Sequence, residues 1–244
     1  MIRYLVAVLV ACAQLYAMPA MAQEKSATKP GFVLAPGTTR IVLFRPSITA
    51  GAQSTGGMFE PNADWTAQAR ENVTAALAVA QKKLGNEVVD APELFGDDAA
   101  KLAEYQSLFS VVANSVITYK FFPGNRLPIK KRKDVFDWTL GPGVAEVAKG
   151  CSCDYALFIF TEDQFGSTGR KVLQIFAAMA SVSVKSGVHQ GFAGLVDLRT
   201  GDLVWLNADL QMGGDVRTAD GAQKRVGQLL EDFPGAPVAV AAKK

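Results

Sequence analysis

Two cysteines separated by one residue, Cys151 and Cys153, form the pair in this sequence most suggestive of chemistry. On an extended strand, residues two apart face the same way with Cα atoms about 6.5 to 7 Å apart, near the upper limit for a disulfide. A bridge therefore needs a turn, and Gly150 is placed to supply one. Three readings stay open: no bond, or a strained one without function; a structural disulfide, which an oxidising compartment favours; or two soft thiolates for Cu(I) or redox work, for which no third ligand is visible.

The other reactive residue types are scattered. His189 is the only histidine among 244 residues, which leaves little room for a His-based metal cage or relay. It sits beside Gln190 at the end of an expected strand, and no Gly-x-Ser-x-Gly elbow offers a nucleophile, so it reads as an exposed strand-end residue. Glu162 and Asp163 are adjacent, and neighbours on a strand point to opposite faces. They read as a polar strand end, not as an acid/base pair. The run Lys130, Lys131, Arg132, Lys133 could hold a phosphate or an anionic lipid headgroup, but Asp134 and Asp137 lie beside it, and a solvated loop is the expectation. No phosphate-binding loop occurs, and the glycines between Gly51 and Gly57 lack the dinucleotide spacing. No cofactor and no metal site is expected, and no catalytic residue is assigned.

The elements that would position these residues follow from pattern. Residues 1–22 form an export leader: Arg3, an apolar stretch, and Ala20-Met21-Ala22 as the cleavage signal, cut after Ala22. An alternative is lipid attachment at Cys12, whose Leu9-Val10-Ala11-Cys12 context is that of an outer-membrane lipoprotein. The whole chain is 49% apolar, 20% charged and carries a net charge of +2, so it has no field for nucleic acid. One domain is expected over 40–234, with a flexible segment at 23–39 and a flexible tail at 235–244.

Within the domain, Arg40-Ile41-Val42-Leu43-Phe44 predicts a strand that Pro46 ends, and the Gly/Ser/Thr-rich stretch 48–62 predicts a loop. Asp64 is placed to cap a helix to about Leu84. Glu87-Val88-Val89 predicts a second strand, and Asp97-Asp98 open a second helix. Gly141-Pro142-Gly143 starts a short helix. The consecutive apolar residues of Asp154-Tyr155-Ala156-Leu157-Phe158-Ile159-Phe160 predict a central strand covered on both faces. Residues 190–198 and 203–210 predict a hairpin around Asp197, Arg199, Thr200, Gly201 and Asp202, with Trp205 on its return arm. A last helix follows over 219–233, with Ala222, Val226 and Leu229 on one face.

The segment 172–184, which begins and ends in valine (Val172, Val184), is apolar except for Gln174, Ser181 and Ser183. As a helix it would reach about 20 Å, too short to cross a bilayer of about 30 Å. It reads first as a packed core helix or insertion. The alternative is a segment that lies on a membrane or packs against another copy of the chain.

The hairpin stretch Gly191-Phe192-Ala193-Gly194-Leu195-Val196-Asp197-Leu198-Arg199-Thr200-Gly201-Asp202-Leu203-Val204-Trp205 resembles the strand-turn-strand signature of bacterial envelope proteins with the TolB amino-terminal, CsgG-like fold. Phe136-Asp137-Trp138-Thr139-Leu140-Gly141-Pro142-Gly143 and the central strand resemble an uncharacterised family of secreted proteobacterial proteins. The resemblance spans about residues 40–234. It implies an α/β (α+β) domain, a mixed and mostly antiparallel sheet with helices packed on its faces. It also implies an envelope role in assembly, transport or interaction, since the shared motifs carry no catalytic residues. The expectation is a non-enzymatic periplasmic protein acting on an envelope protein or on copies of itself. The alternative is a periplasmic hydrolase or thiol- or metal-dependent protein using Cys151, Cys153 or His189.

Overall fold

The computed structural model describes residues 25–122, 125, 135–184 and 187–236. The expected export leader with Cys12, the basic run Lys130 to Lys133, and tail residues 237–244 lie outside them. Among the described residues the chain folds as a mixed, mostly antiparallel sheet with helices on both faces, the α+β architecture expected.

The nine strands are β1 (Ser26–Thr28), β2 (Arg40–Leu43), β3 (Ser47–Gln53), β4 (Phe59–Pro61), β5 (Glu87–Asp90), β6 (Trp138–Thr139), β7 (Tyr155–Gly166), β8 (Val188–Asp197) and β9 (Asp202–Asp209). The main path runs β1-β9-β8-β7-β2-β5. β5 and β7 flank β2 in parallel, whereas β7, β8 and β9 run antiparallel. β7 is longer than β2, and its second half pairs in parallel with β3, which continues past Pro46. β4 folds back on β3, and β6 pairs with β9.

Among the described residues there are four α-helices: α1 (Ala63–Ala80), α2 (Gly96–Val116), α3 (Thr168–Met179) and α4 (Ala219–Leu229), of which α1, α2 and α4 cover the sheet. α1 and α4 bury Ala69, Val73, Leu77, Val226 and Leu229 against Ile41, Leu157, Ile159, Leu195 and Trp205. α2 buries Phe109, Ala113 and Val116 against Val42, Phe158, Phe192 and Leu206 on the other face, joined there by the tight helical turns of Pro142–Ala148. With both faces occupied, Ala156 to Ile159 of β7 are all buried, with Tyr155 and Phe160 partly so at the ends of the run, as a covered central strand requires.

Several expectations need correction. The stretch 48–62 is not a loop: Ile48 and Ala50 are buried, and the extra length of β7 gives β3 its ladder partner. Small residues let β3 and β4 approach closely, and the Gly/Ser/Thr composition that looked like a loop is that of a tightly paired ribbon. The cap of α1 is Asn62, whose Oδ1 accepts from the Trp65 amide at 2.9 Å, and not Asp64, which sits in the first turn. Within 23–39, Ser26–Thr28 pairs with β9 and Leu34 is buried, so this part is tied to the sheet. The segment 172–184 is not a packed core helix. α3 has no buried residue. Among the described residues no helix is long and apolar enough to cross a membrane.

Candidate functional site

The hairpin turn is held from within. Asp197 Oδ1 accepts from the amides of Arg199 (2.8 Å) and Thr200 (3.1 Å), and Thr200 Oγ1 accepts from the amide of Asp202 (3.2 Å). Gly201 has φ +78°, and a Cβ there would collide with the Gly141 backbone. Its carbonyl accepts from the Leu140 amide (2.8 Å) and the Thr139 hydroxyl (3.0 Å). Lys29 Nζ binds Asp202 Oδ2 at 2.5 Å, and that bond holds the Asp202 carboxyl below the ordinary aspartate range. Trp205 is fully buried against Phe233, with ring centroids 5.1 Å apart. These residues brace β1, β6, β8 and β9 together.

Cys151 and Cys153 are joined as a disulfide with Cα atoms 5.1 Å apart. That is closer than an extended strand allows, and the pair lies outside regular structure, between the turn at Gly150 (φ +91°) and the start of β7. Both cysteines are half-buried against the core on the α2 face. Among the described residues no three His, Cys, Asp or Glu side chains gather as a metal site.

The expectation for the polar end of β7 divides. Glu162 and Asp163 do point to opposite faces. Glu162 accepts from Gln164 Nε2 at 2.8 Å, whereas Asp163 is fully buried beneath α4. His189 is not a bare strand-end residue. It lies opposite Asp163 in the β7–β8 ladder, and its Nδ1 is 2.7 Å from Asp163 Oδ1, with its side chain 31% exposed. A carboxylate only accepts, so Nδ1 carries the hydrogen.

Arg225 of α4, also 0% exposed, completes the cluster. Its Nη1 donates to Asp163 Oδ2 (2.7 Å) and Thr161 Oγ1 (2.6 Å), and Nη2 to Asp163 Oδ1 (2.8 Å) and the Gly214 carbonyl (3.2 Å). Nε donates to the Gly213 carbonyl at 3.3 Å. All the guanidinium's donors are thus used, as burial of a charge demands. Phe165 stacks beside His189 (5.1 Å), and on it rests the Arg217 guanidinium (3.6 Å), which also lies over Trp65 (4.5 Å). Arg217 grips Asp215 with two hydrogen bonds, which hold that carboxyl below its ordinary range.

A His–Asp pair suits general base chemistry only if the other nitrogen reaches a nucleophile. Among the described residues, His189 Nε2 has no hydrogen-bond partner, and no Ser, Thr or Cys stands in that position. The arrangement fastens α4 to β7 and β8.

Sequence reasoning missed Arg225, although a signal existed. It falls three residues after Ala222 and one before Val226, on the apolar stripe of its helix, and a charge there calls for a buried partner.

Two surface features remain. A cleft of about 760 Å³ opens between α1 and α2 at the carboxyl ends of β2 and β5. Leu43 and Phe44 contribute to its lining, with Arg45, Arg70, Asp90 and Glu93 as its charged groups. The second is α3. Ser167 caps it, accepting from the Arg170 amide, and it then presents Val172, Ile175, Phe176 and Met179 at i, i+3, i+4 and i+7. Ile175, Phe176 and Met179 are 62%, 63% and 69% exposed, and Val182 beyond the helix is exposed as well.

No model of a known family matches the chain, and no curated protein matches it. Two solved structures of PelC dodecamers from Paraburkholderia phytofirmans align along most of its length. For a point variant, identity is 13% over 85% of this chain and 96% of that one, with a TM-score of 0.35. For the second crystal form the figures are 13%, 84%, 94% and 0.35. A likeness that distant carries no assignment.

Proposed function

We propose that this protein is a non-enzymatic component of the cell envelope, exported through its leader, that works by attaching to another envelope component or to copies of itself. The observation that carries the reading is the α3 face. A folded, capped helix with a continuous stripe of large apolar side chains in water costs solubility, and such a patch marks a contact surface. The helix is rooted between two central strands, β7 and β8, so a load on it passes into the core. The polar cluster supports the same reading: His189, Asp163 and Arg225 hold helix and sheet together and offer no nucleophile. The leader at 1–22 and the resemblance to CsgG-like envelope proteins agree with an envelope location.

Cell fractionation tests this. The wild-type chain is expected in the envelope, with its new amino terminus at Gln23, and to sediment with the membrane or with a large assembly. Ile175→Ser/Phe176→Ser is expected to move to the soluble periplasm while keeping its fold. A cytosolic protein with its leader attached, or identical fractionation of the two chains, would refute the reading.

A further inference from the structure

We infer that the occupant of the α3 face is an anionic bilayer surface, on which the helix lies in the plane of the interface. This rests on the reading of α3 as the contact element and names what it contacts. Three observations carry it.

The first is shape. α3 has 12 residues, about 18 Å of helix. That suits lying along a membrane and is too short to cross one. Its long side chains Val172, Ile175, Phe176 and Met179 form one stripe with no part sunk in the protein body.

The second is charge. Between Asp163 and Asp197 the sequence has no acidic residue, but it has Arg170, Lys171 and Lys185. Arg170 and Lys171 stand near the amino end of α3, where the helix dipole disfavours cations. The helix dipole gains nothing from that placement, whereas lipid phosphates would be drawn to it. A second copy meeting it through the same face would bring the same all-cationic segment and no acid to answer it.

The third is the neighbouring turn. Arg170 Nη1 donates to the Thr55 carbonyl at 3.3 Å, tying α3 to the β3–β4 turn, whose Met58 is among the most exposed apolar side chains described. The same end of the molecule therefore carries a further apolar side chain beside the cations.

The mature full chain is tested by co-sedimentation with phosphatidylcholine vesicles with and without phosphatidylglycerol, alongside its mass in solution by light scattering. Binding to the anionic vesicles is expected, at least about tenfold weaker to pure phosphatidylcholine and weakened by salt. Ile175→Ser/Phe176→Ser is expected to weaken it at least about tenfold, and Lys171→Gln about fivefold. Val79→Ser, which alters an exposed apolar side chain on α1, should leave it unchanged, and matching far-ultraviolet circular dichroism confirms that each variant folds. Absent binding, or equal binding to both vesicles, would overturn the inference. An oligomer that the α3 double variant dissociates, with no vesicle binding, assigns the face to a second copy; the inference then falls and the contact reading stands. If the double variant changes vesicle binding, mass and fractionation not at all, both fall.

Discussion

Removing Asp163 should be the most damaging single change to the fold outside its apolar core. Asp163 and Arg225 are each 0% exposed, so Asp163→Leu leaves a guanidinium in a dry site with only Thr161 Oγ1 and the Gly213 and Gly214 carbonyls around it. Arginine cannot shed its proton to escape. Breaking a buried ion pair from one side costs about 3 to 5 kcal/mol. For a chain of this size that lowers Tm by about 6 to 20 °C. Arg225→Met should cost less, because the abandoned carboxylate keeps its hydrogen bond from His189 Nδ1 at 2.7 Å. His189→Ala should cost only about 0.5 to 1.5 kcal/mol, one hydrogen bond at a partly exposed position.

The double variant Asp163→Leu/Arg225→Met is the discriminating member of the series. It removes both charges together and leaves two carbonyls to find water, so it should be more stable than Asp163→Leu alone. Urea unfolding of the four variants and wild type at pH 7 measures all of this. If Asp163→Leu costs under about 1 kcal/mol, or if the double variant is the least stable of the set, then the cluster does not fasten α4 to the sheet as described.

Three further changes follow from single contacts. Gly201→Ala forces φ +78° on a side chain that also meets the Gly141 backbone; at least about 1 kcal/mol should be lost, read from the urea midpoint. The Asp215 carboxyl is depressed below 3.8 chiefly by its hydrogen bonds from Arg217, so its contribution is complete above about pH 3.8 and disappears as pH falls through its lower folded value. Arg217→Met should therefore be less stable than wild type at pH 7, by a margin that narrows below pH 3.8 in a pH series of urea melts. In mature protein taken from an oxidising compartment, Cys151 and Cys153 should take no alkylating label before reduction and two afterwards by intact mass, because their Cα atoms stand 5.1 Å apart, within bonding reach.

What could be read from sequence was whatever depended on a strong local pattern. The β8–β9 hairpin was legible because Asp197, Thr200 and Gly201 encode their own turn through side-chain-to-amide bonds. β7 was legible because burial on both faces leaves an unbroken apolar run. β3 was not, since Ser47, Thr49 and Gly51 look like loop residues until the overhanging half of β7 supplies a partner; a ladder between residues more than a hundred apart in sequence has no local signature. The Asp163–Arg225 pair is of the same kind. Each residue breaks an apolar pattern alone, and only the juxtaposition of β7 with α4 turns two anomalies into one satisfied pair.

α3 was misread for a different reason, and the reason bears on function. Its apolar content predicts burial in the chain's own core, yet the core faces of the sheet are already filled by α1 and α4 on one side and α2 on the other. No third face remains for a fourth apolar layer, so the stripe of Val172, Ile175, Phe176 and Met179 is left in solvent by the geometry of the sheet. A sequence that needed only to fold could relieve this with a few polar substitutions on a surface helix at almost no cost. The stripe is instead paired with cations and kept free of acids over more than thirty residues. Hydrophobic and electrostatic patterns that agree with each other, and disagree with the needs of the isolated domain, point outward from it to a surface both apolar and negatively charged.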